Sequence, residues 1–273
     1  MMGGGQKMII IGELINASRK AMAQAIETQD VEAIRDIAVK QAEAGAHYID
    51  VNAGVFVDKE ADYLRWLVKI VQDSTDLPCA VDSPNPKALA AALEAHEGTA
   101  MVNSISLEKE RYETLLPIVA GTDLKIIALC MSDEGMPRTV DERMRIADTL
   151  IDGLVQKNIP LDNIYVDPLV QPMSVNTDFG MDFINTIEKI HAWYPGIHTA
   201  CGLSNISYGM PARQFMNQIF MVMAITKGLD GAICNPLDRR MMAHITAAQT
   251  LAGNDPYGLE YLKAFRNKEF ELT

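Results

Sequence analysis

Short apolar runs alternate with longer amphipathic stretches about eight times along the chain, and this alternation limits the fold more than any other feature. The apolar runs lie at 8–11, 47–52, 78–82, 100–103, 124–129, 164–167, 197–201 and 231–234. Helical spacing follows at 30–44, 61–71, 86–96, 109–119, 139–156, 178–193, 211–227 and 239–251. Runs without an apolar–polar alternation belong to strands buried on both faces, as in a parallel sheet. Repeated strand–helix units of this kind close into a (β/α)8 barrel, which needs roughly 250 residues. The chain has 273. A doubly wound open sheet is the alternative, but no Gly-x-Gly-x-x-Gly follows the first strand.

Nothing of low complexity interrupts the series, so residues 1–273 read as one domain. Residues 1–7 form a flexible glycine-rich lead, and 256–273 a polar, charged tail that is helical in part. Gly45 is placed to stop the helix over 30–44 in the left-handed C′ manner. The spacing of Met216, Ile219, Phe220 and Met223 reads as a core-facing helix stripe.

What ends each strand is more informative than the strands. Glu13 and Asn16 follow the first; Asp50 and Asn52 end the second; Asp82 and Ser83 the third; Asn103 and Ser104 the fourth. Asp167 ends the sixth, Ser204 and Asn205 follow the seventh, and Asn235 and Asp238 the eighth. In a barrel all these ends meet at one rim, where active sites lie. Carboxylates accept hydrogen bonds and amides both donate and accept, so such a ring suits a flat, neutral heterocycle. An amino group beside a ring N–H pairs with one carboxylate in a bidentate bond, and a pterin has that edge. The competing reading is local: Asp and Asn at these positions also cap helices and form turns.

Other chemistries find less support. There is no phosphate loop, no Ser–His–Asp pattern and no His-Glu-x-x-His. Cys79, Cys130, Cys201 and Cys234 lack zinc spacing and read as free thiols. Asp50, Asp82, Asp167 and Glu13 are a weaker candidate set for Mg²⁺, and no metal is expected. An aldolase would need a Schiff-base lysine, yet Lys125 begins its strand at the wrong end and Lys40 and Lys69 lie on helices. A net charge of −12 disfavours nucleic acid as a partner. No apolar run approaches the roughly 20 residues of a membrane helix, and the expected location is the cytoplasm.

Six segments, in order, resemble the pterin-binding barrel of dihydropteroate synthase and the methyltetrahydrofolate:corrinoid methyltransferases. They are Ile11-Gly12-Glu13-Leu14-Ile15-Asn16, Tyr48-Ile49-Asp50-Val51-Asn52, Val81-Asp82-Ser83, Val102-Asn103-Ser104, Val166-Asp167-Pro168 and Gly202-Leu203-Ser204-Asn205-Ile206-Ser207-Tyr208-Gly209. The last points to the methyltransferase branch. The synthase's Thr-Pro-Asp-Ser-Phe run is replaced by Ala17-Ser18-Arg19-Lys20, and its Ser-x-Arg-x-His by Asn235-Pro236-Leu237-Asp238-Arg239-Arg240.

The resemblance implies that Asp82, Asn103 and Asp167 hook the pterin ring. It makes Asn205 the catalytic residue at N5, with Asn16, Asp50, Ser204 and Asn235 as further substrate contacts. It implies methyl transfer between tetrahydrofolate or 5-methyltetrahydrofolate and the cobalt of a corrinoid. The corrinoid would ride on a separate protein, because this chain lacks the Asp-x-His-x-x-Gly that binds one. An anaerobic demethylation with tetrahydrofolate as acceptor is the favoured direction, and a homodimer is expected. Dihydropteroate synthase and a non-enzymatic folate-binding module are the alternatives.

Overall fold

The computed structural model describes residues 7–270, so most of the expected lead and the last three residues of the tail lie outside the described residues. Eight strands form one sheet: β1 (Ile9–Asn16), β2 (Tyr48–Asn52), β3 (Cys79–Asp82), β4 (Met101–Leu107), β5 (Lys125–Ser132), β6 (Ile164–Asp167), β7 (His198–Thr199) and β8 (Gly231–Cys234). Around them lie α1 (Lys20–Glu27), α2 (Val31–Glu43), α3 (Glu60–Ser74), α4 (Pro86–Ala95) and α5 (Lys109–Val119). α6 (Val140–Gln156), α7 (Phe179–Trp193), α8 (Arg213–Ile225), α9 (Arg239–Leu251) and α10 (Leu259–Arg266) complete the set. The strands are parallel in the order β7-β6-β5-β4-β3-β2-β1-β8. The (β/α)8 barrel is the observed fold, not the open sheet.

The β7–β8 seam is thinly paired. The Ile233 N–H donates to the Cys201 carbonyl at 2.9 Å, and a parallel bridge joins Gly202 to Ile233. Side chains lace the floor of the seam instead. Buried Asp230 accepts from the Thr199 N–H at 2.7 Å and lies 2.6 Å from His198 Nδ1. Its carbonyl takes the Ile9 N–H, which ties in β1. Burial alone would lower the His198 pKa, but Asp230 and then Asp162 outweigh it and hold the imidazole above its ordinary value.

Local expectations mostly hold. α2 ends at Gly45 with φ +94°; the Gly45 N–H bonds the Ala42 carbonyl and the Ala46 N–H the Gln41 carbonyl, a Schellman stop. Other readings need correction. β1 runs on to Asn16, past a break in its register with β2 between Gly12 and Ile15. Buried Gln41 repairs that break by accepting from the Leu14 N–H at 3.0 Å. Gly12 is required beside it, since a Cβ there would lie 2.5 Å from Gln41 Oε1. α1 was not anticipated. In the stripe read as core, Phe220 is buried but Ile219 and Met223 are exposed, in line with exposed Phe215. The periodicity is right, but only Phe220 and half-buried Met216 turn inward.

Candidate active site

Ile11, Ala80, Met101, Ile127, Tyr165 and Ala200 fill the barrel, with Tyr48 and Ile233 packed against them. Side chains two apart on a strand share a face. Two residues further toward the strand ends stand Glu13, Asp82, Asn103, Leu129, Asp167, Gly202, Asp50 and Asn235. The apolar layer is therefore capped by a ring that is polar at all but Leu129 and Gly202. Registers agree: Asp82 pairs with Asn103, and Leu129 with Asp167.

Within the ring the groups hold one another. The Asn103 amide donates to Asp50 at 3.0 Å, and the Asn52 amide to Asp82 at 2.9 Å. Asp50, Asp82 and Asn103 cap no helix: Asn85 caps α4, while α3 and α5 have no side-chain cap. The local reading thus fails for these three. Burial raises the pKa of Asp50 well above its ordinary value, and the neighbouring Asp82 adds to this. Burial also raises Asp82, against the pull of Asn52 and Arg111. Arg111 is itself held by the Ser104 carbonyl and hydroxyl, both at 3.1 Å. Buried Glu60 accepts from Ser83 at 2.6 Å and Asn85 at 3.1 Å, which fixes the loop after Asp82.

Asp167 is pushed up to about 7 by burial, although the Leu169 and Gly202 N–H groups oppose the shift. The Leu169 N–H donates to it at 2.8 Å. Fully buried Arg143 holds the next carbonyl, Pro168, at 3.0 Å.

Opposite, Glu13, Ser204 and Asn235 line a cleft of about 140 Å³ with Gln214, Asn217 and Asp238. Burial raises Glu13, and the charges of Arg19 and Arg213 oppose it. Arg19 pairs with Glu13 at 2.8 Å. Asn205 is exposed on the 3-10 turn Leu203–Ser207, which Arg213 pins through the Ser204 carbonyl at 2.7 Å and the Ser207 hydroxyl at 3.0 Å. The oxygens of Asn16 and Asn235 serve local turns, accepting from Ser18 and Leu237 at 2.9 Å each.

The structure thus gathers Asp50, Asp82, Asn103 and Asp167 in one ring, puts Ser204, Asn205 and Asn235 on its β7–β8 side, and leaves Asn16 at its edge in a turn. It gives Glu13 and Asn52, read from the sequence only as strand-end residues of the rim, direct places in the site, and adds Arg111 and Arg213, which nothing local marks. Lys125 sits at the floor, bonded to Asp162 and Asn163, far from any role at the rim. All four cysteines are buried and free. Among the described residues, no group of three or more His, Cys, Asp and Glu is arranged to hold a metal, and no helix is long and apolar enough to cross a membrane.

The sequence profile described as "Pterin binding enzyme" matches residues 12–235. The chain belongs to that family. This pterin-binding enzyme is 39% identical over 95% of its length, and 96% of the relative's, to a "Methylcorrinoid:tetrahydrofolate methyltransferase" of Eubacterium limosum. It is also 30% identical to the methionine synthase of Mycobacterium tuberculosis, over 83% of this chain but only 20% of that longer protein. Among solved structures, the dihydropteroate synthase of Coxiella burnetii superposes with a TM-score of 0.72 over 90% of this chain and 93% of that one. At 16% identity that likeness shows the fold alone.

Proposed function

We propose that this pterin-binding methyltransferase moves a methyl group from the cobalt of a methylated corrinoid, carried on a separate protein, to N5 of tetrahydrofolate. The observation that carries the reading is the ring itself: Asp82, Asn103 and Asp167 point inward directly above an apolar floor, where a flat ring with a guanidine-like edge would lie. Leu129 supplies an apolar wall in that ring. The direction follows the name of the Eubacterium limosum relative. The synthase alternative lacks its anion-handling residues after β1 and β8.

In the transfer, the Co–C bond breaks and its electron pair stays on cobalt. The N5 lone pair forms the new N–C bond, and the N5 proton leaves to solvent. N5 gains positive charge in the transition state in either direction. The carboxamide of Asn205 stabilises that charge by accepting from N5–H, and the carboxylate ring beneath supports it electrostatically. The experiment mixes the protein with free methylcobalamin and tetrahydrofolate and follows the corrinoid spectrum and methyltetrahydrofolate. Methyl transfer above the protein-free rate is expected. Folate binding with no methyl transfer, from methylcobalamin to tetrahydrofolate or in the reverse direction, would favour a binding module.

The same proposal includes a homodimer. The uncovered stripe of Phe215, Ile219 and Met223 on α8 supports it. Light scattering is expected to give the mass of two chains; one chain would remove it.

A further inference from the structure

Arg143 on α6 is 0% exposed, the largest side chain so enclosed among the described residues. Its Nε donates to the Pro168 carbonyl at 3.0 Å. Both terminal nitrogens are buried with no hydrogen-bond partner among the described residues. The Phe179 ring centre lies 5.9 Å from the guanidinium. Asp182 on α7, and more weakly Glu142, attract its charge without bonding it. Buried charges ordinarily pair. An apolar side chain of like length would fill this space without stranding two donors. What the arginine contributes is therefore its one bond.

That bond has a definite target. The Pro168 carbonyl and the Leu169 N–H belong to one planar trans peptide, so they point in opposite directions. The carbonyl meets Arg143, and the N–H meets Asp167 at 2.8 Å. Leu169 sits at φ +65°, a left-handed conformation that a residue other than glycine keeps only where its surroundings enforce it. Further along the same loop, Gln171 donates to the Pro137 carbonyl and the Met173 N–H to the Ile206 carbonyl at 3.1 Å. Arg143 anchors the start of the loop, and these bonds anchor its remainder.

We infer that Arg143 is a positioning residue: by holding the Pro168 carbonyl it turns the N–H of the same peptide onto Asp167, and so presents an ionised carboxylate to the pterin edge. Its use to the enzyme rests on the reading of Asp167 as a pterin hook. The Leu169 N–H is one of two backbone donors that favour the charged form of this carboxyl, the other being the Gly202 N–H on the far side of the loop. Cys130 on β5 and Cys201 after β7 feel the Asp167 charge, and burial holds both thiols neutral, well above their ordinary range. Arg143 thus reaches Asp167 through a peptide, not through its own charge.

The test compares Arg143→Met with Arg143→Gln, each checked for folding by circular dichroism. Counted along the side chain, glutamine places an N–H donor where arginine has Nε, and methionine places a methyl group there. Carbon-13 NMR follows the Asp carboxyls of the ligand-free protein, with Asp167→Asn assigning the resonance, and calorimetry follows tetrahydrofolate from pH 6 to 9. In Arg143→Met the Asp167 titration midpoint is expected to stand about one pH unit higher, the effect of losing one N–H aimed at a charged group. Folate should then bind roughly fivefold more weakly at pH 7 and almost as the native protein does at pH 9. Arg143→Gln should keep the native midpoint. An unmoved midpoint in Arg143→Met would overturn the inference. Equal displacement in both variants would also overturn it, because the charge and not the bond would then set the carboxyl. Should Arg143→Met fail to fold, Arg143→Gln decides: a native midpoint is the expected result and a displaced one the contrary. Absence of folate binding with the displaced carboxyl present would remove the folate reading and leave the peptide's role standing. Folate binding without the displacement would do the reverse.

Discussion

Methyl transfer by the Asn205→Ala variant is expected to be about 10²- to 10³-fold slower than by the native protein, the cost of losing one donor or acceptor aimed at developing charge. The fold should not suffer. Asn205 is exposed, and its backbone carbonyl accepts from the Tyr208 N–H at 3.1 Å. The turn is held by Arg213 through Ser204 and Ser207, not through the Asn205 side chain. Folate affinity should change little, because the pterin edge is held on the other strands. The loss therefore belongs in the single-turnover rate, not in KM. An unchanged rate would move the N5 contact elsewhere, with Glu13 the next group to test.

Asp167→Ala is expected to weaken folate binding about 10- to 100-fold, as loss of a charge-assisted, two-point hydrogen bond does. Burial holds this carboxyl up to about 7, so pH enters twice. The pterin edge donates to the ionised form, and at pH 6 about a tenth of the sites would be ionised; the apparent Kd should then be roughly 10-fold weaker at pH 6 than at pH 8. For stability the sign is opposite. A carboxyl whose folded pKa is raised contributes stability that is present below its unfolded value near 4 and is lost as pH rises through the folded value. An Asp167→Asn variant should accordingly gain on the ligand-free native protein as pH rises from about 4 to 7. Calorimetry for binding and thermal unfolding for stability check the two halves. A pH-independent Kd would show that this carboxyl is not the pterin's partner.

The barrel was readable because strand and helix periods alternate and polar residues end each apolar run. Asp82, Asn103 and Asp167 stood out for that local reason. What escaped was settled across the chain. β1 passes through Gly12 and Glu13 because Gln41, 27 residues from Leu14, satisfies its unpaired N–H; no local pattern carries that. Arg111 and Glu60 lie in the first turns of helices, where charged residues ordinarily face water, yet they brace Ser104, Ser83 and Asn85. On α8 the spacing marked a stripe, but which side met the barrel depended on neighbouring helices. Asn16 and Asn235 show the reverse: read as contacts, they also serve the turns such residues often form.

The most direct measurement is calorimetric titration of the native protein with 5-methyltetrahydrofolate and with tetrahydrofolate. Saturable binding of both in the micromolar range, one ligand per chain, is expected. Well-folded protein that binds neither would contradict it, and the Asp and Asn ring would then have to serve a different ligand.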